Sequence, residues 1–353
     1  MIVSARRRAR NGLRLVSGLA RPPAGGSPRR LVWQRDGVRL YRYDSDRRAH
    51  APPVLLVMSL VTRPSVLDLR PGNSLVERLV DDGLDVYLLD WGVPAAVDAA
   101  NTLETYCDEH LPLAAAAACE VSQSDDLTLL GYCLGGVLAL LFVAGHRDAP
   151  VRSLVVVATP IDFATFGPLA TVLGAGRLQP EDLLDETGNL PAEAVLAGIR
   201  LLQPTADLTT SVNLWQHLHD DHFVEAHESL MGWARDHIPF PGAAFRQVVE
   251  RFVRDRALVA GVVRLGDREV RLADIACPVL SVSGDHDHLV PPASSDPLAE
   301  VLTGCRFEEL RVTAGHVGLL VGRQAHARTI PAMVDWILVS DAARGGGPAP
   351  ARR

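Results

Sequence analysis

The sequence contains no lysine, so all 35 of its basic residues are arginines. The net charge is −7, and this balance does not indicate a nucleic-acid-binding protein. Cysteine is scarce and odd in number, and the five residues show no paired spacing, so the pattern suggests neither a disulfide framework nor a zinc ribbon. A reducing cytoplasm fits this pattern best. The cysteines are Cys107, Cys119, Cys133, Cys277 and Cys305.

Long hydrophobic runs are also absent. No apolar stretch reaches the roughly 18 residues needed to span a bilayer. Residues 1–30 carry eight arginines and no acidic residue, with leucines interleaved, and they lack the continuous apolar core of a secretory signal. This basic N-terminal arm could form an amphipathic helix on a surface. Pro22 and Pro23 would end such a helix, and we expect instead a frayed, solvated terminus.

Short apolar strands alternate with helical segments along most of the chain. Residues 32–43 predict a hairpin with its turn at Asp36-Gly37, and residues 53–60, 84–90, 127–130 and 151–158 read as buried strands. Two further strands follow at 279–283 and 307–312. This alternation predicts an α/β fold with a mostly parallel central sheet and helices on both faces.

Residues 161–264 interrupt this pattern with helical segments broken by prolines. We predict that they form an inserted helical lid, so that the core comprises residues 31–160 and 265–340. Residues 341–353, rich in Gly, Pro, Ala and Arg, are expected to be a disordered tail.

The segment Gly131-Tyr132-Cys133-Leu134-Gly135-Gly136 is the most informative motif. It follows a predicted strand and precedes an apolar run suited to a buried helix, which is the context of a nucleophile elbow. Glycines are needed there because a side chain at Gly131 or Gly135 would collide with neighbouring backbone. We predict that Cys133 is a nucleophile for acyl transfer; a buried structural cysteine is the alternative.

Asp287 and His316 follow the last two predicted strands. Asp285 also lies in the first of these loops, but Asp287 fits the pattern G-x-x-D-x-x-V-P, so we predict that Asp287 orients the histidine and that Asp285 caps a turn. His316 stands between small residues in Ala314-Gly315-His316. The order Cys, Asp, His is that of the α/β-hydrolase fold.

Two backbone N–H groups are predicted to bind the oxyanion. Leu134 follows the nucleophile directly, and Val61 lies in the loop after the strand at 53–60. His217, His219, His222 and His227 form the only metal-like cluster, but none stand at i and i+4, so a solvated lid helix explains them and no metal is predicted.

Five motifs in order give the chain a family resemblance. They are Arg63-Pro64-Ser65-Val66-Leu67-Asp68-Leu69, residues 85–92 (DVYLLDWG), the cysteine box, Asp287-His288-Leu289-Val290-Pro291 and Gly315-His316-Val317-Gly318. Together they resemble a polyhydroxyalkanoate synthase over about residues 30–340. Cys133 lies too near the start for the large N-terminal domain of the long members, so the chain resembles the short members, which work with a second subunit. Ser65, in place of the family's usual aromatic residue, is a departure.

The resemblance implies an activity. Cys133 would attack the thioester of a 3-hydroxyacyl-coenzyme A, His316 would take the thiol proton, and coenzyme A would leave. Asp287 would orient His316 or help to activate the hydroxyl of the next unit. No cofactor is implied, because the coenzyme A thioester is the substrate. The implied partners are a second synthase subunit, the surface of polymer granules in the cytoplasm and a homodimer, without nucleic acid.

Two other functions remain open at this point. A cysteine-dependent esterase or thioesterase would use the same three residues and release the acyl group to water. A non-catalytic homologue would keep the fold and bind a partner, although Cys133, Asp287 and His316 together argue against it.

Overall fold

The computed structural model describes residues 2–16, 26–44, 53–202 and 213–345. Its main sheet has eight strands in the order β1-β2-β4-β3-β5-β6-β9-β10, and a separate two-stranded sheet pairs β7 with β8. The strands are β1 Arg29–Arg35, β2 Val38–Tyr43, β3 Val54–Val57, β4 Val86–Asp90, β5 Leu127–Tyr132, β6 Val151–Val157, β7 Val262–Leu265, β8 Arg268–Arg271, β9 Val279–Gly284 and β10 Phe307–Val312.

The α-helices occur between the strands and at both ends of the described chain. They are α1 Ile2–Val16, α2 Leu75–Asp81, α3 Leu111–Ser122, α4 Leu134–Gly145, α5 Gly167–Gly174, α6 Ala192–Leu202, α7 Asp221–Arg235, α8 Gly242–Gln247, α9 Pro292–Ser295, α10 Leu298–Val301 and α11 Ile330–Gly345. Residues 213–217 are also helical. Within the described ranges, π-helical segments occur at Thr105–His110, Val248–Arg254 and Ala325–Thr329.

The six strands from β4 to β10 in this order pair in parallel, and β2 is antiparallel to both of its neighbours, β1 and β4. β1 and β2 form the predicted hairpin, whose turn residues Asp36 and Gly37 have φ of 47° and 83°. Positive φ at both positions is the geometry that matches the twist of a two-residue hairpin. The predicted mostly parallel α/β sheet is therefore confirmed.

Each buried strand contributes to two cores, one on each face of the sheet. Leu55 and Val57 pack with residues of α3 and α4, whereas Val54 and Leu56 pack with residues of α2 and α11. This alternation follows from the two-residue period of a strand. Every residue from Leu134 to Ala144 is buried, which explains why α4 is apolar all round.

The chain between β6 and β9 is mostly helical and contains α5 to α8. It also contains the hairpin β7–β8, which the sequence analysis did not predict and which crosses the expected boundary between residues 264 and 265. Part of this stretch, residues 203–212, lies outside the described residues.

One expectation about the chain ends was wrong, and another was wrong only about where the tail begins. Residues 2–16 form helix α1 instead of a frayed terminus, because acidic residues of the helical insertion pair with its arginines. At the other end, α11 continues to Gly345 through Ala342, Ala343 and Arg344, which favour helix, so the expected tail at 341–353 begins in a helix. Residues 346–353 lie outside the described residues.

Candidate active site

Cys133 occupies a strained turn between β5 and α4. Its φ and ψ are 55° and −127°, a conformation that L-residues rarely adopt. A Cβ added at Gly131 would lie 2.5 Å from the Cα of Gly136, and one at Gly135 would lie 2.3 Å from the carbonyl oxygen of Val57. Both contacts are with backbone, so only glycine fits at these positions. The turn is the nucleophile-elbow geometry that the sequence predicts.

Cys133 differs in its surroundings from the buried cysteines. Its side chain is half-buried and lines a cavity. Burial raises the pKa of the Cys107 thiol well above its usual range and that of Cys119 to about 11, so both remain protonated and inert.

Asp287 and His316 meet at the carboxyl ends of β9 and β10. The Nδ1 atom of His316 lies 2.7 Å from Oδ2 of Asp287, and both side chains are buried. The other carboxylate oxygen of Asp287 accepts hydrogen bonds from the backbone N–H groups of Leu289 (2.9 Å) and Val290 (2.8 Å). Asp285 is exposed instead. Of the two candidate acids, Asp287 is the one that contacts the histidine.

His316 also interacts with the elbow. Its ring centroid lies 4.9 Å from that of Tyr132, the residue before Cys133. Burial alone would lower the pKa of His316, but the charge and hydrogen bond of Asp287 and the contact with Cys133 outweigh it and raise the pKa to about 10. This site therefore stabilises a protonated imidazole.

The two predicted oxyanion donors flank the elbow. Leu134 is the first residue of α4, so its N–H has no carbonyl partner within the helix. Val57 at the end of β3 pairs with Gly131 of β5, which brings the loop containing Val61 beside the elbow. Val61 lines the same cavity as Cys133.

The cavity has a volume of about 930 Å³ and is covered by residues from the helical insertion and from α1. Volumes of this size suit substrates that are largely enclosed by protein. Leu15 of α1, Leu196 and Ile199 of α6 and Trp233 of α7 line the cavity together with Cys133 and His316.

Contacts between α1 and the helical insertion hold this cover in place. Asn11 is buried and donates to the carbonyl of Leu218 (2.9 Å) and to Asp221 (2.8 Å), while Arg10 pairs with Asp221 at 2.5 Å. Arg14 pairs with the nearly buried Glu228 of α7.

Two of the four clustered histidines, His217 and His219, stack with ring centroids 6.5 Å apart. His217 stacks on Phe223 with ring centroids 4.5 Å apart, whereas His227 lines the cavity. Among the residues that the structure describes, no group of three or more His, Cys, Asp or Glu side chains is arranged to hold a metal ion. Likewise, no described helix is long and apolar enough to cross a membrane.

Several site residues escaped sequence reasoning. The indole N–H of Trp91 donates to the carbonyl of Met58 at 2.8 Å and that of Trp233 to the carbonyl of Arg63 at 3.0 Å, so two tryptophans hold the loop after β3. Trp91 lies in one of the family motifs, which was a sequence signal for its role. No local sequence pattern indicates the role of Trp233. The hydroxyls of Ser59 and Tyr132 are buried on the cavity side without a hydrogen-bond partner among the described residues.

Comparison with known proteins agrees with this architecture. Residues 52–323 match the alpha/beta hydrolase fold family. A lipase structure from Acinetobacter baumannii superposes with a TM-score of 0.52 at 14% identity, covering 95% of this chain and 97% of that one, which supports the fold alone.

Sequence relatives are more specific. The poly(3-hydroxyalkanoate) polymerase subunit PhaC of Allochromatium vinosum is 34% identical over 318 residues, covering 89% of each chain. The subunit of the same name from Haloferax mediterranei is 30% identical over 88% of this chain, which spans 64% of that longer protein. The chain thus belongs to the family of poly(3-hydroxyalkanoate) polymerase subunits within the α/β-hydrolase fold.

Proposed function

We propose that this protein is an acyltransferase that polymerises 3-hydroxyacyl groups from coenzyme A thioesters into a polyhydroxyalkanoate through an acyl-Cys133 intermediate. The observation that carries the proposal is the half-buried cysteine on the elbow, next to the buried Asp287–His316 pair and inside a covered cavity. Family membership supports the same reaction, since the relatives are named as polymerase subunits.

In the first half-reaction, the Cys133 sulfur attacks the thioester carbonyl carbon and its proton passes to Nε2 of His316. The carbon–sulfur bond to coenzyme A then breaks, and the departing thiolate takes that proton. Asp287 accepts a hydrogen bond from Nδ1–H of His316, which leaves Nε2 free to accept the proton. The negative charge of Asp287 stabilises the imidazolium that forms. The N–H groups of Leu134 and Val61 stabilise the oxyanion, each worth about 3–4 kcal/mol in such sites.

In the second half-reaction, the hydroxyl of the next unit or chain end attacks the acyl-cysteine carbonyl. His316 accepts the hydroxyl proton, an ester bond forms, and the Cys133 sulfur leaves and recovers the proton. A water molecule would give free hydroxy acid instead, so the site must exclude water. The cover formed by α1, α6 and α7 supports this role.

We propose further that the chain acts with a second synthase subunit at the surface of cytoplasmic polymer granules, and that it forms a homodimer there. This part rests on the resemblance and on the relatives' designation as subunits.

The test is incubation with 3-hydroxybutyryl-coenzyme A, with and without the protein encoded beside it, while thiol release and insoluble polymer are both measured. We expect both products from the wild type and neither from Cys133→Ala. Cys305→Ala is the matched control, because Cys305 is also half-buried but does not line the cavity, and it should retain activity. Thiol release with free hydroxy acid alone would identify a thioesterase, and activity of Cys133→Ala would exclude this nucleophile.

A further inference from the structure

The cavity wall differs in charge from the protein as a whole. The chain carries a net charge of −7, yet the wall contains two arginines and a single carboxylate, Glu228, which pairs with Arg14. A cleft lined by one sign of charge concentrates ligands of the opposite sign. The wall therefore favours an anionic ligand. The charged and titratable residues are Arg200, Arg235, Glu228, His227, His237, His286, His288 and His316.

Two ionic groups in or beside the cavity wall already have partners. Glu228 pairs with Arg14, and its side chain is only 6% exposed. Arg63 pairs with Asp236 at 2.8 Å. Arg200 and Arg235, in contrast, are exposed and have no carboxylate partner within 4.0 Å among the described residues. These two guanidinium groups remain available to a ligand.

Arg235 is held close to the loop after β3, which contains Val61. It is the last residue of α7, and its neighbours on both sides bond to the loop after β3. Trp233 donates to the Arg63 carbonyl at 3.0 Å, and the N–H of Ile238 donates to the Val61 carbonyl at 3.3 Å. Arg235 is therefore carried on a segment that is anchored beside the proposed oxyanion site.

Arg200 approaches the same segment from α6. Burial lowers the pKa of His237, and the positive charge of Arg200 acts in the same direction, so Arg200 lies near the segment that follows Arg235. The two arginines come from different helices, and both are exposed residues of the same cavity wall, so they lie on its rim. A pair of forked guanidinium groups on such a rim suits phosphate oxygens, which they can bind in a bidentate manner.

We propose that Arg200 and Arg235 bind the phosphate groups of the coenzyme A moiety, so that its thioester arm enters the cavity toward Cys133. The inference rests on the proposed function and adds the residues that recognise the leaving group. A growing polyester chain carries no charge along its length and gives no reason for two unpaired arginines. Coenzyme A must also depart after every acylation, which suits a binding site at an exposed rim.

The test compares two substrates that share the acyl group but differ in the phosphates. 3-Hydroxybutyryl-coenzyme A carries them, and 3-hydroxybutyryl-N-acetylcysteamine does not. The variants are Arg200→Gln, Arg235→Gln and the double variant, because glutamine removes the charge and retains much of the stem. Arg177→Gln is the control, since Arg177 is an exposed arginine of the same helical insertion that does not line the cavity.

We expect KM for the coenzyme A substrate to rise about 10-fold in each single variant and about 100-fold in the double variant, the scale of one charge-assisted hydrogen bond each. Turnover of the phosphate-free substrate should not change. Equal losses on both substrates would show that the arginines only position the cover, and unchanged kinetics on coenzyme A would also overturn the proposal.

Direct binding separates this proposal from the proposed function. If the wild type turns over neither substrate, titration calorimetry with free coenzyme A still decides the matter. Binding that weakens at least 10-fold in the double variant, but not in Arg177→Gln, supports the phosphate site. The phosphate site is refuted if coenzyme A does not bind the wild type, or if it binds the wild type and the double variant equally tightly. Thermal unfolding of each variant verifies that it is folded.

Discussion

Gly135→Ala tests whether the elbow depends on close contact between α4 and β3. A Cβ at this position would lie 2.3 Å from the carbonyl oxygen of Val57 and 2.7 Å from the carbonyl carbon and oxygen of Met58. Ordinary van der Waals contact begins at about 3.4 Å, so the helix and the strand end must separate by roughly 1 Å. All three atoms are backbone, so no side-chain rotation relieves the overlap.

The expected cost follows from this overlap. Overpacking of this kind destabilises proteins by about 1–3 kcal/mol, which corresponds to a fall in Tm of roughly 1–4 °C for a chain of 353 residues. The displacement also shifts the loop that carries Val61. Turnover should therefore fall by about 100-fold or more, the effect of losing one oxyanion donor.

Gly198→Ala is the matched control. Gly198 lies inside α6, where an added Cβ would meet only Leu169 at 3.6 Å, an ordinary contact. Alanine there should raise the free energy of unfolding by about 0.5–1 kcal/mol, because glycine is a poor helix former. Thermal unfolding and thiol release would be measured for both variants. Wild-type Tm and turnover in Gly135→Ala would refute the elbow argument.

Three further predictions follow from the site and its cover. Asp287→Asn should reduce turnover by on the order of 10²–10⁴-fold because the histidine tautomer is no longer held, whereas Asp285→Asn should stay within about twofold, and the reverse ranking would reassign the acid. The pKa of His316 is raised to about 10, so its stabilising effect is complete below pH 6.5 and is lost as the pH rises through 10. The Tm difference between wild type and His316→Gln should therefore shrink from pH 6.5 to above 10; a constant difference would contradict this. Asn11→Ala should loosen α1 and accelerate its cleavage by trypsin, and unchanged cleavage would show that the buried amide does not hold the helix.

The elbow was predictable because its constraints are local. A strand, two glycines, a cysteine and an apolar helix lie within about 20 consecutive residues, and each has one physical role. The sequence pattern also favoured Asp287 over Asp285, and the structure places Asp287 against His316. Asp287 is favoured by its loop, because its carboxylate also accepts hydrogen bonds from the backbone N–H groups of Leu289 and Val290.

Contacts across long sequence separations were not predictable. Arg10 and Asp221 are 211 residues apart, and no local pattern relates them. The sequence therefore predicted a solvated arm for the N-terminal arginines. In the structure, Arg10 and Arg14 of α1 pair with acidic residues of the helical insertion. The role of Trp233 escaped prediction for the same reason, since its indole bonds a carbonyl 170 residues away.

The cover and the oxyanion loop are physically coupled. The N–H of Ile238 bonds the Val61 carbonyl, Thr62 pairs with His237 in an antiparallel bridge, and the Trp233 indole bonds the Arg63 carbonyl. A movement of residues 233–238 must therefore break these bonds or pull the loop with it. The contacts that would keep water out are the same ones that set the position of the Val61 N–H. Loosening this segment should consequently reduce acylation as well as admit water, so such a variant would lose activity instead of becoming an efficient thioesterase.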